Sequence, residues 1–138
     1  MVREAPLVLL VDDDPDFIEI NQHVLETKGY RVARASEPQD ALDQMAAAKP
    51  QVVVTDLMMK HLDSGFSLAQ QIKSDPRFAG VPVIIVTAVA SQRGLDFSPR
   101  TPEELAAMHA DAYFDKPVAP EALLAQVEKL LERSRGKG

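Results

Sequence analysis

The segment Leu7-Val8-Leu9-Leu10-Val11-Asp12-Asp13-Asp14-Pro15 decides the fold. Its first five residues are apolar with no polar alternation, the pattern of a strand covered on both faces. The run stops at Asp12. Asp14 followed by Pro15 then reads as an N-cap and first helical residue, and Phe17, Ile20, Val24 and Leu25 form an apolar stripe that ends near Gly29, a C-terminal stop. A buried strand that turns through acids into an amphipathic helix is half of a β-α-β unit.

The same alternation recurs along the chain. Arg31 to Ala35 is the weakest strand, with two arginines among small apolar residues, and suits a sheet edge. Ser36 and Gln39 have capping-box spacing around Pro38, and Ala41, Leu42 and Met45 make the buried stripe of a second helix closed by Lys49 and Pro50. Gln51 to Thr55, built on three valines, is the most strand-committed run and belongs at the centre; it ends at Asp56. Phe66, Leu68, Ala69 and Ile72 set a third helix, broken at Asp75-Pro76. Val81 to Val86 is a fourth strand ending at Thr87, with Pro82 at its mouth.

Residues 88 to 100 lack a clear period and read as a long exposed loop, after which Thr101, Pro102 and Glu104 open a fourth helix carrying Leu105 and Met108 inward. Ala112 to Phe114 is a short fifth strand. Leu123, Leu124, Val127, Leu130 and Leu131 give the last helix a one-sided stripe before the polar RSRGKG. The reading is α/β: a (βα)₅ doubly wound parallel five-stranded sheet with helices on both faces and a ligand crevice at the carboxyl ends of the strands.

Composition limits the chemistry. A length of 138 residues suits a single domain over 1–138, core about 6–133, with no room for an effector domain. Hydrophobic residues at 46% and charged residues at 26% are ordinary for a globular chain, and a net charge of −6 provides no general field to attract nucleic-acid phosphates. There is no cysteine, so disulfides, thiolate nucleophiles and Cys-ligated zinc are excluded, and His23, His61 and His109 show no ligand spacing. The first apolar run is too short for a signal peptide or membrane span, which sets the expectation of a cytoplasmic protein with no membrane partner.

Four strand ends carry the polar residues: Asp12 and Asp13, then Asp56, Thr87 and Lys116. Adjacent parallel strands lie about 4.8 Å apart, so these residues converge despite wide separation in sequence. Clustered carboxylates raise one another's pKa unless a cation is present, and a hard divalent ion with oxygen ligands answers that need. Beside such an ion a carboxylate can form an acyl phosphate, with a lysine and a hydroxyl neutralising the phosphoryl oxygens.

The motifs VLLVDDDPDF, VVVTDLMMKHLD, VIIVTA and FDKP, in that order and spacing, resemble those of response-regulator receiver domains of two-component signalling, the CheY-like superfamily. The resemblance covers nearly the whole chain. It implies a flavodoxin-like fold with strand order 2-1-3-4-5 and a phosphoacceptor at Asp56. It implies Mg²⁺ or Mn²⁺ held by Asp12, Asp13, Asp56 and the backbone carbonyl of Met58. Thr87 and Tyr113 match the switch hydroxyl and switch aromatic, Lys116 the site lysine, and the bond before Pro117 is expected to be cis. Implied partners are a histidine kinase or histidine phosphotransfer protein and a downstream protein target. That target is met through the face of the fourth helix, fifth strand and fifth helix, without direct contact to nucleic acid. Such a domain is not an enzyme beyond catalysing its own phosphorylation and dephosphorylation. A homodimer through the last helices is a further partner the sequence leaves open.

This sequence departs from the family pattern at Lys60, where proline is usual, and at Asp63-Ser64-Gly65, one residue longer than the usual Asp-Gly. The stretch between Thr87 and Lys116 is also longer than usual. Met58 and Val89, two positions after Asp56 and Thr87, are apolar where polar side chains help to orient a hydrolytic water, so a slow autodephosphorylation is expected. A second reading is a haloacid-dehalogenase-like phosphohydrolase with Asp12 as nucleophile and Asp14 as general acid. It lacks an acidic pair after Lys116 and a cap domain.

Overall fold

Leu7–Val11 (β1), Arg31–Ala35 (β2), Val52–Thr55 (β3), Val83–Thr87 (β4) and Ala112–Asp115 (β5) pair as one parallel sheet in the order β2-β1-β3-β4-β5. The structure, a computed structural model, describes residues 5–56, 64–87, 103, 109–116 and 118–136. Four helices are described: Pro15–Thr27 (α1), Pro38–Ala47 (α2), Ser64–Ser74 (α3) and the C-terminal helix Pro120–Gly136. The 88–100 loop, the expected fourth helix at 101–108, Met58, Lys60, Val89 and Pro117 lie outside the described residues.

Uniformly apolar strands need cover on both faces, and the alternate side chains divide accordingly. Leu9, Val11, Val53 and Ile85 pack with Ala41 and Met45 of α2 and with Leu68, Ala69 and Ile72 of α3. Val8, Leu10, Val54, Ile84 and Val86 pack with Ile18 and Leu25 of α1 and with Leu123, Val127 and Leu130 of the C-terminal helix. The weak, arginine-containing β2 is an edge strand and the three-valine β3 is central, as their compositions require.

Helix α1 begins as the sequence suggests: Asp14 is extended and its side chain accepts from the Asp16 N–H, with Pro15 in the first turn. It ends in a Schellman motif. Gly29 (φ +93) donates to the Glu26 carbonyl at 3.0 Å and Tyr30 to the Leu25 carbonyl at 3.1 Å.

Several expectations are corrected. Ile20 is 53% exposed rather than part of the buried stripe. Asn21 holds that core position because its amide donates to the Phe17 carbonyl at 2.9 Å, which lets a polar side chain be buried on the helix's inner face. The Ser36–Gln39 capping box does not form: the N-cap is Glu37, which makes no side-chain cap bond, and Gln39 reaches forward to Asp43 instead. Strand β3 starts at Val52 rather than Gln51. Strand β4 starts at Val83, because the Val81 N–H is taken by the Phe78 carbonyl in the preceding turn and Pro82 has no N–H to give. Strand β5 runs one residue further, to Asp115, and α3 starts two residues earlier than Phe66, at Ser64.

At the amino end of the sheet, Lys73 of α3 donates to the Val81 carbonyl and to Asp111 Oδ2, both at 2.9 Å. Asp111 Oδ2 also accepts the Val83 N–H at 2.8 Å. This clamp ties α3 to the starts of β4 and β5. On the β2 edge, Gln44 donates to the Arg34 carbonyl, and the guanidinium of Arg31 donates to the Ala5 carbonyl.

Candidate functional site

The register brings Asp12, Asp56, Thr87 and Lys116 to one end of the sheet. Val11 is level with Thr55 of β3 on one side and Ala35 of β2 on the other, so Asp12 and Asp56 leave the sheet side by side. Backbone bonds fix them: the Asp12 N–H donates to the Ala35 carbonyl at 3.0 Å and the Asp56 N–H to the Val11 carbonyl at 3.1 Å. On the far side Thr87 pairs with Asp115, and the next residue, Lys116, donates its backbone N–H to the Thr87 carbonyl at 2.8 Å. Strands β1, β3 and β5 thus each end one step short of the residue they present, and β4 ends on its own, Thr87.

The side chains close the arrangement. Lys116 Nζ donates to Asp12 Oδ2 at 2.8 Å and to Asp56 Oδ2 at 3.0 Å. Both carboxylates are almost wholly buried, with side-chain exposures of 1% and 6%, and the lysine side chain is 17% exposed. Asp12 Oδ1 accepts the Asp14 N–H at 2.9 Å, which folds the acidic turn back on the strand end. The Lys116 ammonium also stands 4.5 Å from the centroid of the Phe17 ring on α1.

The electrostatics follow from burial. Desolvation pushes the Asp12 carboxyl up to about 6, against the lowering effect of its bonds from Lys116 and the Asp14 N–H; the nearby Asp56 charge adds to the rise. Burial alone would depress the Lys116 ammonium, but hydrogen bonding and charge pairing with Asp12, then Asp56, outweigh it and raise its pKa. Two carboxylates share one cation, so the buried cluster carries excess negative charge when both are ionised.

Thr87 is fully buried at the end of β4. Tyr113, half-buried on β5, bonds through its hydroxyl to Asp115 at 3.2 Å. Asp13 is exposed in the turn after β1, where it lines a cleft of about 390 Å³ with Asp12, Glu19, Arg34 and Asp40. Asp14 is exposed and engaged as the α1 cap, away from the role of general acid that the hydrolase reading requires. His23 and His109 are exposed. Among the described residues no three His, Asp or Glu side chains form a ready metal cage. That donor set still fits Mg²⁺, which is held by one or two carboxylates together with waters and phosphate oxygens rather than by an all-protein cage. By periodicity Phe17 is only part of the α1 apolar stripe; an aromatic one helical turn beyond an acidic strand end is the signal that points to the lysine.

No helix among the described residues is long and apolar enough to cross a membrane. The family model described as the response regulator receiver domain matches residues 8–128. Response regulator Rre1 of Synechocystis is 34% identical over 137 residues, covering 97% of this chain and 55% of that protein. A hybrid signal transduction histidine kinase of Dictyostelium discoideum is 29% identical over 138 residues, covering 99% of this chain but 8% of its own length. The crystal structure of a CheY-like receiver domain protein from Methanospirillum hungatei superposes with a TM-score of 0.80 at 24% identity, covering 97% of this chain and 99% of that one. The chain therefore spans about half the length of Rre1 and a small part of the kinase.

Proposed function

The chain belongs to the response regulator receiver domain family, and from that premise we propose that it accepts a phosphoryl group on Asp56 and passes the signal on through protein contacts. The supporting observation is the sharing of Lys116 by two buried carboxylates, at 2.8 and 3.0 Å, which leaves the cluster in need of further positive charge. Asp12, Asp13, Asp56 and the Met58 carbonyl would hold Mg²⁺. When bound, that ion neutralises phosphoryl oxygens and draws the donor to the cluster.

An oxygen of the Asp56 carboxylate attacks the phosphorus of a phosphohistidine or small phosphodonor, the bond from phosphorus to the donor atom breaks, and the donor recovers a proton. Lys116 transfers its bond from Asp56 to a phosphoryl oxygen, and the Thr87 hydroxyl donates to another. Phosphorylation adds close to two negative charges. Drawing Thr87 inward opens space that Tyr113 fills, which repacks the face of the fourth helix, β5 and the C-terminal helix, a biased two-state equilibrium read by a downstream protein. The donor is a histidine kinase or histidine phosphotransfer protein. Because Met58 and Val89 cannot orient water, the acyl phosphate persists for minutes or longer; phosphate release within seconds refutes this point.

Incubation with phosphoramidate and Mg²⁺, followed by borohydride reduction and peptide mass mapping, locates the acyl phosphate. Label on Asp56 is expected, and Asp56→Asn abolishes it. Label on Asp12 returns the hydrolase reading, and absence of Mg²⁺-dependent label overturns the proposal. Thr87→Ala keeps the label and weakens partner binding.

A further inference from the structure

The turn that presents Asp12 also sets Phe17. The Asp14 N–H bonds to Asp12, the Asp14 side chain caps Asp16, and the Ile18 N–H donates to the Asp14 carbonyl at 3.2 Å, so residues 12–18 form one hydrogen-bonded unit. That unit approaches the Lys116 ammonium twice, with a carboxylate at 2.8 Å and a ring face at 4.5 Å. An ammonium has three N–H donors. Two meet Asp12 and Asp56, and the ring covers a further side.

We propose that Phe17 is a positioning residue for phosphoryl transfer, holding the Lys116 ammonium over the strand ends by cation–π attraction. The inference rests on Asp56 being the phosphoacceptor. A ring face suits this place because it attracts the cation without formal charge. A third carboxylate would add repulsion to an anionic donor, and an aliphatic side chain would offer no attraction. Cation–π attraction strengthens as the cation loses water, and Lys116 is mostly buried, unlike Arg77, which lies 4.7 Å over Phe78 with two-thirds of its side chain in solvent. The ring also stays in place when Lys116 exchanges Asp56 for a phosphoryl oxygen, so the lysine is held on both sides of the reaction.

The test places phenylalanine with one, two and three ring fluorines at position 17, which removes π density while preserving shape. The rate of Asp56 labelling by phosphoramidate and Mg²⁺ should fall stepwise, by about three- to ten-fold at the trifluoro ring, with the melting midpoint lowered by only a few degrees. Phe17→Leu should match the trifluoro protein and lose the ring-current shift of the Lys116 ε-methylene protons in NMR spectra; Phe17→Trp should restore the rate to within about two-fold. A flat fluorine series in a protein that labels normally overturns the inference, even if Phe17→Leu is slow or fails to fold, since the ring would then act by packing alone. A native protein that takes no label on Asp56 removes the phosphoacceptor reading, and the inference with it.

Discussion

Both ends of the sheet hold a lysine against aspartate, and they differ in how the charge is matched. At the amino end Lys73 meets one carboxylate, Asp111, and the remaining bonds go to the Val81 carbonyl and the Val83 N–H. Cation and anion are equal in number, and the two side chains keep 24% and 31% of their surface in solvent. At the carboxyl end Lys116 meets two carboxylates that are nearly sealed from water. The first arrangement is complete as it stands and ties α3 to β4 and β5. The second holds more negative charge than its lysine balances, and the proposed recruitment of a divalent cation, which would in turn draw in the phosphoryl donor, rests on that surplus. Equal chemistry thus serves cohesion at one end and, under the proposed function, reactivity at the other.

The sharpest way to break this contrast is Lys116→Met, which leaves Asp12 and Asp56 facing each other without a cation. A loss of about 3–5 kcal/mol at neutral pH is expected, together with loss of labelling at Asp56. Urea denaturation should show the deficit shrinking on acidification as Asp12, whose carboxyl is already pushed up to about 6 by burial beside the lysine, takes up its proton.

Asp12→Asn sharpens it from the other side by removing the surplus charge while keeping an acceptor for the Asp14 N–H. The metal-dependent labelling should be lost, yet the protein should be more stable at pH 7, by on the order of 2 kcal/mol. The sign follows from the raised folded pKa: the folded state binds the Asp12 proton more tightly than the unfolded chain. The native protein therefore loses stability as pH rises from the unfolded value near 3.8 to the folded value of about 6. Denaturation midpoints across that window should fall in the native protein and stay flatter in the variant.

The amino end should respond only in stability. Lys73→Met removes one partly exposed pair and its carbonyl bond, at a cost of about 1–2 kcal/mol, with labelling of Asp56 unaltered. Gly29→Ala should cost about 1 kcal/mol through its positive φ alone, since an added Cβ meets nothing within 4 Å. A change in the labelling rate in either variant would show that the two ends are coupled.

The fold was legible because its three inner strands are apolar runs that end at abrupt polar steps, and because Asp14-Pro15, Gly29 and Asp75-Pro76 act through local backbone geometry. The gathering of Asp12, Asp56, Thr87 and Lys116 was legible for the same reason, since strand ends in a parallel sheet share one edge. What escaped depends on partners distant in sequence or on competition between close alternatives. Asn21 is buried because a particular carbonyl accepts its amide, whereas Ile20 looked inward by hydropathy alone. Glu37 rather than Ser36 caps α2 because Pro38 takes the first helical position. The approach of Phe17 to Lys116 joins residues nearly a hundred positions apart, and no periodicity encodes it.

The separation between Asp12 and Lys116 has a consequence during synthesis. Their bond spans 104 residues, and Lys116 reaches it only when β5 has added to the outer side of β4. A nascent chain that has released β1 through β4 holds both acids without their cation, so the strand ends repel until the last strand docks. Non-local pairing of this kind forms late. Under the proposed function, competence to accept phosphate therefore waits for β5 to dock, and a copy whose β5 has not docked would stay silent rather than send a false message.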